Sequence, residues 1–525
     1  MNILGLKQNH EKLYYYILIL TAICLPVSKF ALSVSMILLI INFLFELDFR
    51  KKLEILKRNK SIVIFCGVFA IHVLWLINSK DFKYAFHDIG NKAILILYPI
   101  IIGTSKYLSL KKIKTIVLWF SASLLVSTLI STYVLLGFSS IDISDIRNIS
   151  LFMSHIRMSL LINMSLFALS YFFLSAEVKL RKIEIYVFPI VVIWFIVFLF
   201  LLKSLTGIII FLILLFGSFL YLSFKLENRI YRLLFKFLFI AIFLFVSLFL
   251  TISINKYYNI ENINFSELEK YTQSGNKYQH FTSEYQTDNG HYTWVYISEK
   301  ELKNEWQRRS RYKYDGKDDK GQNLKITLIR YLTSRGLRKD SIGVASLTNK
   351  DIKNIESGLA NYIYEDKYAV YPLLYKVIWQ IDMYMKGRSP AGNSVTQRFE
   401  FLKAAKGIVE NNLLLGVGTG NVKIAFAVQY ETMKSELPKD KRLRAHNQYV
   451  TFLLTFGIFG FILLFFCMLY PVVRLKGYDS YLFLVLILIT LLSFINEDTL
   501  ETQIGVTFFS YFYSLFLFRE TKSLK

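Results

Sequence analysis

RSPAGNSVTQRFEFLKAAKGIVENNLLLGVGTGN, residues 388–421, and RAHNQYVTFLLTFGIFGF, residues 444–461, stand on either side of a short polar insert and join a basic, soluble segment to a long apolar run. Ser394 with Gln397 three residues on has the spacing of a capping box, which predicts a helix starting there with Arg398 in its first turn. Gly416, Gly418 and Gly420 then impose a tight loop whose glycines permit close backbone approach. His446 and Asn447 come directly before the apolar run, so a histidine falls where water meets hydrocarbon.

Composition sets the frame for that reading. The chain of 525 residues is 54% hydrophobic, with 46 Phe and 34 Tyr, too apolar for a soluble globular protein of this length. The formal charge of +24 has two common readings, nucleic acid or the flanks of membrane spans, and the placement of Lys and Arg decides for the second. Cys24, Cys66 and Cys467 all lie in apolar runs, so neither a disulfide framework nor a cysteine metal site is offered. The first apolar run lacks a small-residue cleavage site, which predicts an uncleaved first helix.

A hydrocarbon core of ~30 Å needs about 20 apolar residues per helix, and the chain holds about twelve such runs. Lys and Arg crowd the loops after the even-numbered runs, as with Arg50, Lys51 and Lys52 after the second and Lys179, Arg181 and Lys182 after the sixth. By the positive-inside rule both termini face the cytoplasm and the long insert after the ninth run faces outside. The expected architecture is an all-α polytopic membrane protein. Residues 1–254 carry nine spans, 255–445 form a large, mostly helical external domain, and 446–525 carry the last three spans.

Once the spans are oriented, polar residues collect at their outer ends. His155 and Arg157 start the sixth span, Lys203 lies in the turn before the eighth, Lys92 starts the fourth, and His446 and Asn447 start the tenth. Taken singly, each also fits a snorkelling or helix-start role. Glu497, Asp498 and Glu501 lie between the last two spans, where no histidine or further carboxylate is spaced to complete a cation site. His72, inside the third span, reads as a hydrogen-bonded packing residue. The GVGTG loop follows no clear strand and faces away from cytoplasmic nucleotides, which argues against a nucleotide site.

The SVTQR arginine, the LLLGVGTGN loop, the RAHNQYVTFLLTFGIFG run and, more weakly, NEDTLETQIGVTFF, in this order among the spans, resemble the bacterial O-antigen ligases and O-antigen polymerases. The resemblance implies a GT-C-like inner-membrane glycosyltransferase of lipopolysaccharide biosynthesis, with its active site facing the periplasm. Its donor would be a glycan on undecaprenyl pyrophosphate and its acceptor a lipid A-core hydroxyl or another glycan. It implies no cofactor and no nucleic acid partner, because the pyrophosphate leaving group carries its own energy. His446 matches the family's active-site histidine, and an imidazole accepts or donates a proton near neutral pH. Arg398 matches the family's loop arginine and shares the catalytic assignment with His446. Arg157 is the second candidate for holding pyrophosphate, since a guanidinium offers a forked, always-charged donor. Lys203, His155, Lys92 and Asn447 complete the expected substrate-binding set. Where the family commonly has an arginine this chain has Leu205, with Lys203 a nearby substitute. Polymerase and protein glycosylation stay open beside ligase. A polysaccharide transporter or flippase is the alternative from another class, although the unlike halves and the polar groups gathered at one end speak against it.

Overall fold

The computed structural model describes residues 3–139, 146–175, 177–225, 228–283, 286–366 and 369–518. The apolar runs form helices because hydrocarbon offers the backbone no hydrogen-bond partners other than its own. In chain order these are α1 (Ile3–Cys24), α2 (Lys29–Phe45), α3 (Phe49–Arg58), α4 (Lys60–Leu74), α5 (Phe82–Lys92), α6 (Ile94–Thr104), α7 (Leu110–Leu135), α8 (His155–Leu174), α9 (Lys182–Leu201), α10 (Leu205–Lys225) and α11 (Arg229–Tyr258). The polar insert adds the two-residue antiparallel strands β1 (Thr287–Asp288) and β2 (His291–Tyr292). It continues with α12 (Glu299–Arg309), α13 (Leu324–Ser334), α14 (Ser341–Ala345), α15 (Asn349–Glu356) and α16 (Val370–Met385). Then follow α17 (Ser394–Asn411), α18 (Val422–Thr432), α19 (Gln448–Arg474), α20 (Tyr481–Phe494) and α21 (Gln503–Leu517).

Among the described residues seven helical stretches are long and apolar enough to cross a membrane, or eight if α2 and α3, bent by 104°, form one broken span. The protein is an all-helical, multi-pass membrane protein. The sequence count of about twelve is higher because several apolar runs form shorter helices, Leu205–Tyr221, Tyr481–Phe494 and Gln503–Leu517.

By contact the chain forms two compact units, Met1–Lys225 with Gln397–Lys525, and Leu226–Thr396. Polarity and contact therefore divide it at different places. Helix α11 is apolar, yet its foot packs on α16, with Tyr257 donating to Asp382 Oδ2 at 2.9 Å. Conversely α17 and α18 are polar enough to read as part of the insert, but Phe401, Ala405, Val422 and Phe426 share a core with Leu454 of α19.

In the first unit α21 is buried on every side, as a helix apolar all round should be. Its two tyrosine hydroxyls are satisfied across the core, Tyr511 donating to Leu18 O and Tyr513 to Met468 O, each at 2.7 Å. The second unit has its own core around Trp306, Leu328 and Leu332. There burial would raise the Glu301 carboxyl, but hydrogen bonds from Thr272, Ser341 and Asn276 bring it down to about 2.

One feature of the first unit positions the candidate site. Helix α19 is interrupted at Gly457, at φ 63° and ψ −174°, a conformation nearly restricted to glycine. The break releases backbone groups that the 413–418 loop satisfies: Val417 N–H donates to Leu454 O at 2.8 Å, Gly418 N–H to Thr455 O at 2.9 Å, and Ile458 N–H to Leu413 O at 2.8 Å. A Cβ at Gly457 would overlap the Leu414 carbonyl, and one at Gly416, φ 66°, the Thr455 carbonyl. The glycines read from the sequence thus serve close backbone approach. Gly457→Ala should lower the thermal midpoint of the purified protein by several degrees, as expected for a cost of ~1–3 kcal/mol at a glycine-only conformation. Gly217→Ala, where nothing lies within 4 Å of the added Cβ, should leave it unchanged in the same thermal-shift assay.

Candidate functional site

The 495–502 turn joins two helices of only 14 and 15 residues, about 21 and 23 Å long at 1.5 Å per residue. Such short helices draw the turn into the bundle, and Glu497, Asp498, Thr499 and Leu500 are all buried. Three carboxylates in that position need cations or donors, because an isolated buried charge is far costlier than a paired one. Distant parts of the chain supply them.

Arg157 Nη2 donates to Glu497 Oε1 at 2.8 Å across 340 positions of sequence. Ser154 caps α8 by accepting from the Arg157 N–H, and the same hydroxyl accepts from Nη1 at 3.2 Å, so the arginine is held from its own backbone outward. His446 Nδ1 lies 3.7 Å from Glu497 Oε2, beyond hydrogen-bond reach. Substrate-free sites often hold such contacts long and tighten them on binding. Burial by itself would raise the Glu497 carboxyl, but the neighbouring His446, Arg157 and Arg398 outweigh it and hold it below the usual carboxylate range. Arg398, on the second turn of α17, is thus within electrostatic reach of the same carboxylate as Arg157 and His446. The His446 backbone is left-handed, φ 48°, and its ring centroid lies 5.6 Å from that of Phe401. Histidine is among the residues enriched in that region, so the strain is modest.

Asn447 caps α19, its Oδ1 accepting from Val450 N–H at 3.0 Å, and its amide donates to Ile495 O at 2.9 Å. It therefore places His446 against the acidic turn. Lys203 follows α9 in a left-handed conformation, φ 51°, and Ser204 beside it donates to Ser159 Oγ of α8 at 3.1 Å. Thr206 accepts from Asn496 of the acidic turn at 2.8 Å, which brings the Lys203–Thr206 corner to the same end of the bundle as Arg157. His155 is the first residue of α8, two positions before Arg157. Leu205 opens α10.

Lys92 belongs to a different group. It is fully buried, with Nζ donating to Leu500 O at 2.7 Å and pairing with Glu501 Oε1 at 2.9 Å. Arg444 Nη1 takes the other Glu501 oxygen at 2.8 Å, Nη2 reaches the Tyr84 hydroxyl, and Gln448 Nε2 donates to Glu501 Oε1 at 3.0 Å. Burial would raise the Glu501 carboxyl, and the Lys92 and Arg444 charges with these hydrogen bonds hold it far below its ordinary range. Thr451 completes the turn by donating to Asp498 at 2.7 Å. His72 is buried, with Nδ1 2.8 Å from Val68 O and its ring edge-on to Phe456, the packing role expected of it.

Sequence reasoning missed the part played by Glu497 and Glu501 as counter-ions, and Arg444 altogether. The available signal was three carboxylates between two apolar runs, which demand charge partners whatever the function. Since Glu501 pairs with both Lys92 and Arg444, and Lys92 has Asp88 besides at 3.5 Å, Glu501→Ala should destabilise the protein by about 3–5 kcal/mol, as for breaking a buried pair. In a thermal-shift assay that variant should melt well below the parent or fail to accumulate, whereas Asp440→Ala at an exposed position should match the parent.

Comparison with known proteins bears on this end of the bundle. No curated protein matches the chain. Residues 355–465 match the family model described as O-antigen ligase, a segment that contains Arg398, the 413–418 loop, His446 and the break at Gly457. Arg157 and Glu497 lie outside it and reach it through space. The similarity to the O-antigen ligase family is carried by that segment.

Proposed function

We propose that the protein transfers a glycan from undecaprenyl pyrophosphate to a hydroxyl of the lipid A core, at the periplasmic face of the inner membrane. The observation that carries the reading is a pair of unsatisfied buried nitrogens. Arg157 Nε and His446 Nδ1 are buried and have no hydrogen-bond partner, although both flank Glu497. Buried polar atoms in folded proteins are nearly always paired, so two left open beside one carboxylate mark a place where a ligand's oxygens complete the set.

The chemistry follows from the residue types. The acceptor hydroxyl attacks the anomeric carbon, the bond from that carbon to the pyrophosphate oxygen breaks, and the pyrophosphate leaves with the electron pair. Arg157 and Arg398 hold the developing charge, and His446 takes the proton from the hydroxyl. Glu497 orients the arginine, and Asn447 fixes the backbone that carries His446. Lys203 and His155 line the approach. Lys92 serves the site from behind, by fixing the turn that bears Glu497. The Lys- and Arg-rich loops after the even-numbered runs support a periplasmic site.

Deletion of the gene, followed by separation of surface glycolipid on a gel, tests the acceptor. The expected result is bare lipid core with stored lipid-linked polymer. Core capped by a single repeat would instead indicate a polymerase, and an unchanged pattern would exclude the lipid core as acceptor.

The catalytic assignment is tested with purified protein and a lipid-linked donor. His446→Ala should bind donor as the parent does and turn over at least ~10²-fold more slowly, the size of a lost proton transfer. Arg398→Ala should lose transfer while the protein still accumulates, and Arg398→Lys should rescue poorly because an ammonium cannot make the forked contact. Transfer by His446→Ala within a few-fold of the parent would remove the histidine from the chemistry.

A further inference from the structure

A second recess lies at the end of the bundle away from Arg157, where α8, α9 and α10 finish or begin opposite the α19–α20 turn. Its volume is about 920 Å³, within the roughly 300–1,000 Å³ of ligand sites. The wall that runs toward the bundle centre is apolar, with Phe167, Ile196 and Phe211 among its residues. At the mouth Tyr481 stacks on Tyr171, with ring centroids 5.4 Å apart and planes at 14°, and its hydroxyl lies 2.8 Å from Ser218 Oγ. Aromatic rings with a polar tip are typical of the level where acyl chains meet head groups.

The rim carries two cations, Arg474 and Lys476, and two carboxylates, Glu177 and Asp479. All four are exposed, and among the described residues Arg474, Lys476 and Asp479 make no ion pair. Lys476 is held in a left-handed turn, φ 52°, and Asp479 N–H donates to its carbonyl at 2.9 Å, so the two charges project from one tight corner.

We propose that this recess binds a zwitterionic phospholipid with a primary ammonium head, the chemistry of phosphatidylethanolamine. The phosphate faces Arg474 and Lys476, the ammonium faces Glu177 and Asp479, and an acyl chain runs along the apolar wall. Charge decides the class. Clusters and pockets of basic residues attract purely anionic head groups, whereas this rim is balanced two against two. A choline head has no N–H to donate to the carboxylates, and a soluble phosphate compound has no use for the apolar wall.

The test uses the full chain purified in mild detergent, incubated with equal amounts of phosphatidylethanolamine and phosphatidylglycerol, with retained lipid counted by native mass spectrometry. The parent should keep phosphatidylethanolamine in preference. Arg474→Gln with Lys476→Gln should lose it, by ~5-fold or more per charge removed. Glu177→Gln with Asp479→Asn should shift the preference toward phosphatidylglycerol without loss of total lipid. Leu215→Trp, which fills the recess from α10, should expel lipid while the protein elutes as the parent does. Equal or greater retention of phosphatidylglycerol by the parent, or unchanged lipid in Leu215→Trp, would overturn the proposal.

Discussion

Three carboxylates buried in one turn between α20 and α21 are the constraint on which this end of the molecule depends. A buried carboxylate is tolerated only where charge and hydrogen bonds replace water. Lys92 comes from α5, Arg157 from α8, Arg444 and Gln448 from either side of the α19 start, and Thr451 from α19 itself. Elements far apart in sequence are thereby fixed to one point. The start of α19, which carries His446, is held there as a consequence rather than by its own packing alone.

A second constraint acts on α19 from the other direction. The Gly457 break sits about two and a half turns beyond the start of α19, and its released carbonyls and amide are taken up by the 413–418 loop. The first segment of the helix is therefore pinned at both ends, by the acidic turn ahead and by the loop behind. Trp75 adds a further tie by donating to Leu415 O at 2.6 Å. Rigid support of this kind suits the proton transfer proposed for His446, since misplacement by an ångström is costly to a reaction.

Much of this was legible in the sequence, for reasons that can be stated residue by residue. His446 stood out because a titratable group beside an apolar run is conspicuous, Arg398 because it matches the loop arginine of the family that the sequence resembles, and the glycine loop because three glycines in five residues have few uses. Helical class followed from the apolar runs. The number of spans did not, because run length does not reveal that α20 and α21 are short and enclosed by protein. Nor did the units, because α11 is apolar but packs on α16, and α17 is polar but packs on α19. Lys92 was found as a charged group at a span end, yet its direction of approach was invisible. Only the fold shows that it turns inward to Glu501. Pairs such as Arg157 with Glu497, 340 positions apart, leave no trace in local pattern.

The two halves of the acidic turn differ in a way that assigns them different work. Around Glu501 the network is closed: both oxygens are taken, Lys92 is fully buried, and Arg444 is shared with Tyr84. A closed network of this kind fixes geometry and has nothing left for a ligand. Around Glu497 it is open. Arg157 uses Nη1 and Nη2 but not Nε, and His446 Nδ1 stops 3.7 Å from the carboxylate. Since leaving a buried donor unpaired costs about 1–3 kcal/mol, Arg157 Nε carries an unfavourable term that an oxyanion would remove on binding. A site built this way favours a ligand with spare acceptor oxygens over one with none, and a pyrophosphate is rich in them. The neighbouring closed pair supplies the stiffness that keeps the open one from collapsing onto itself.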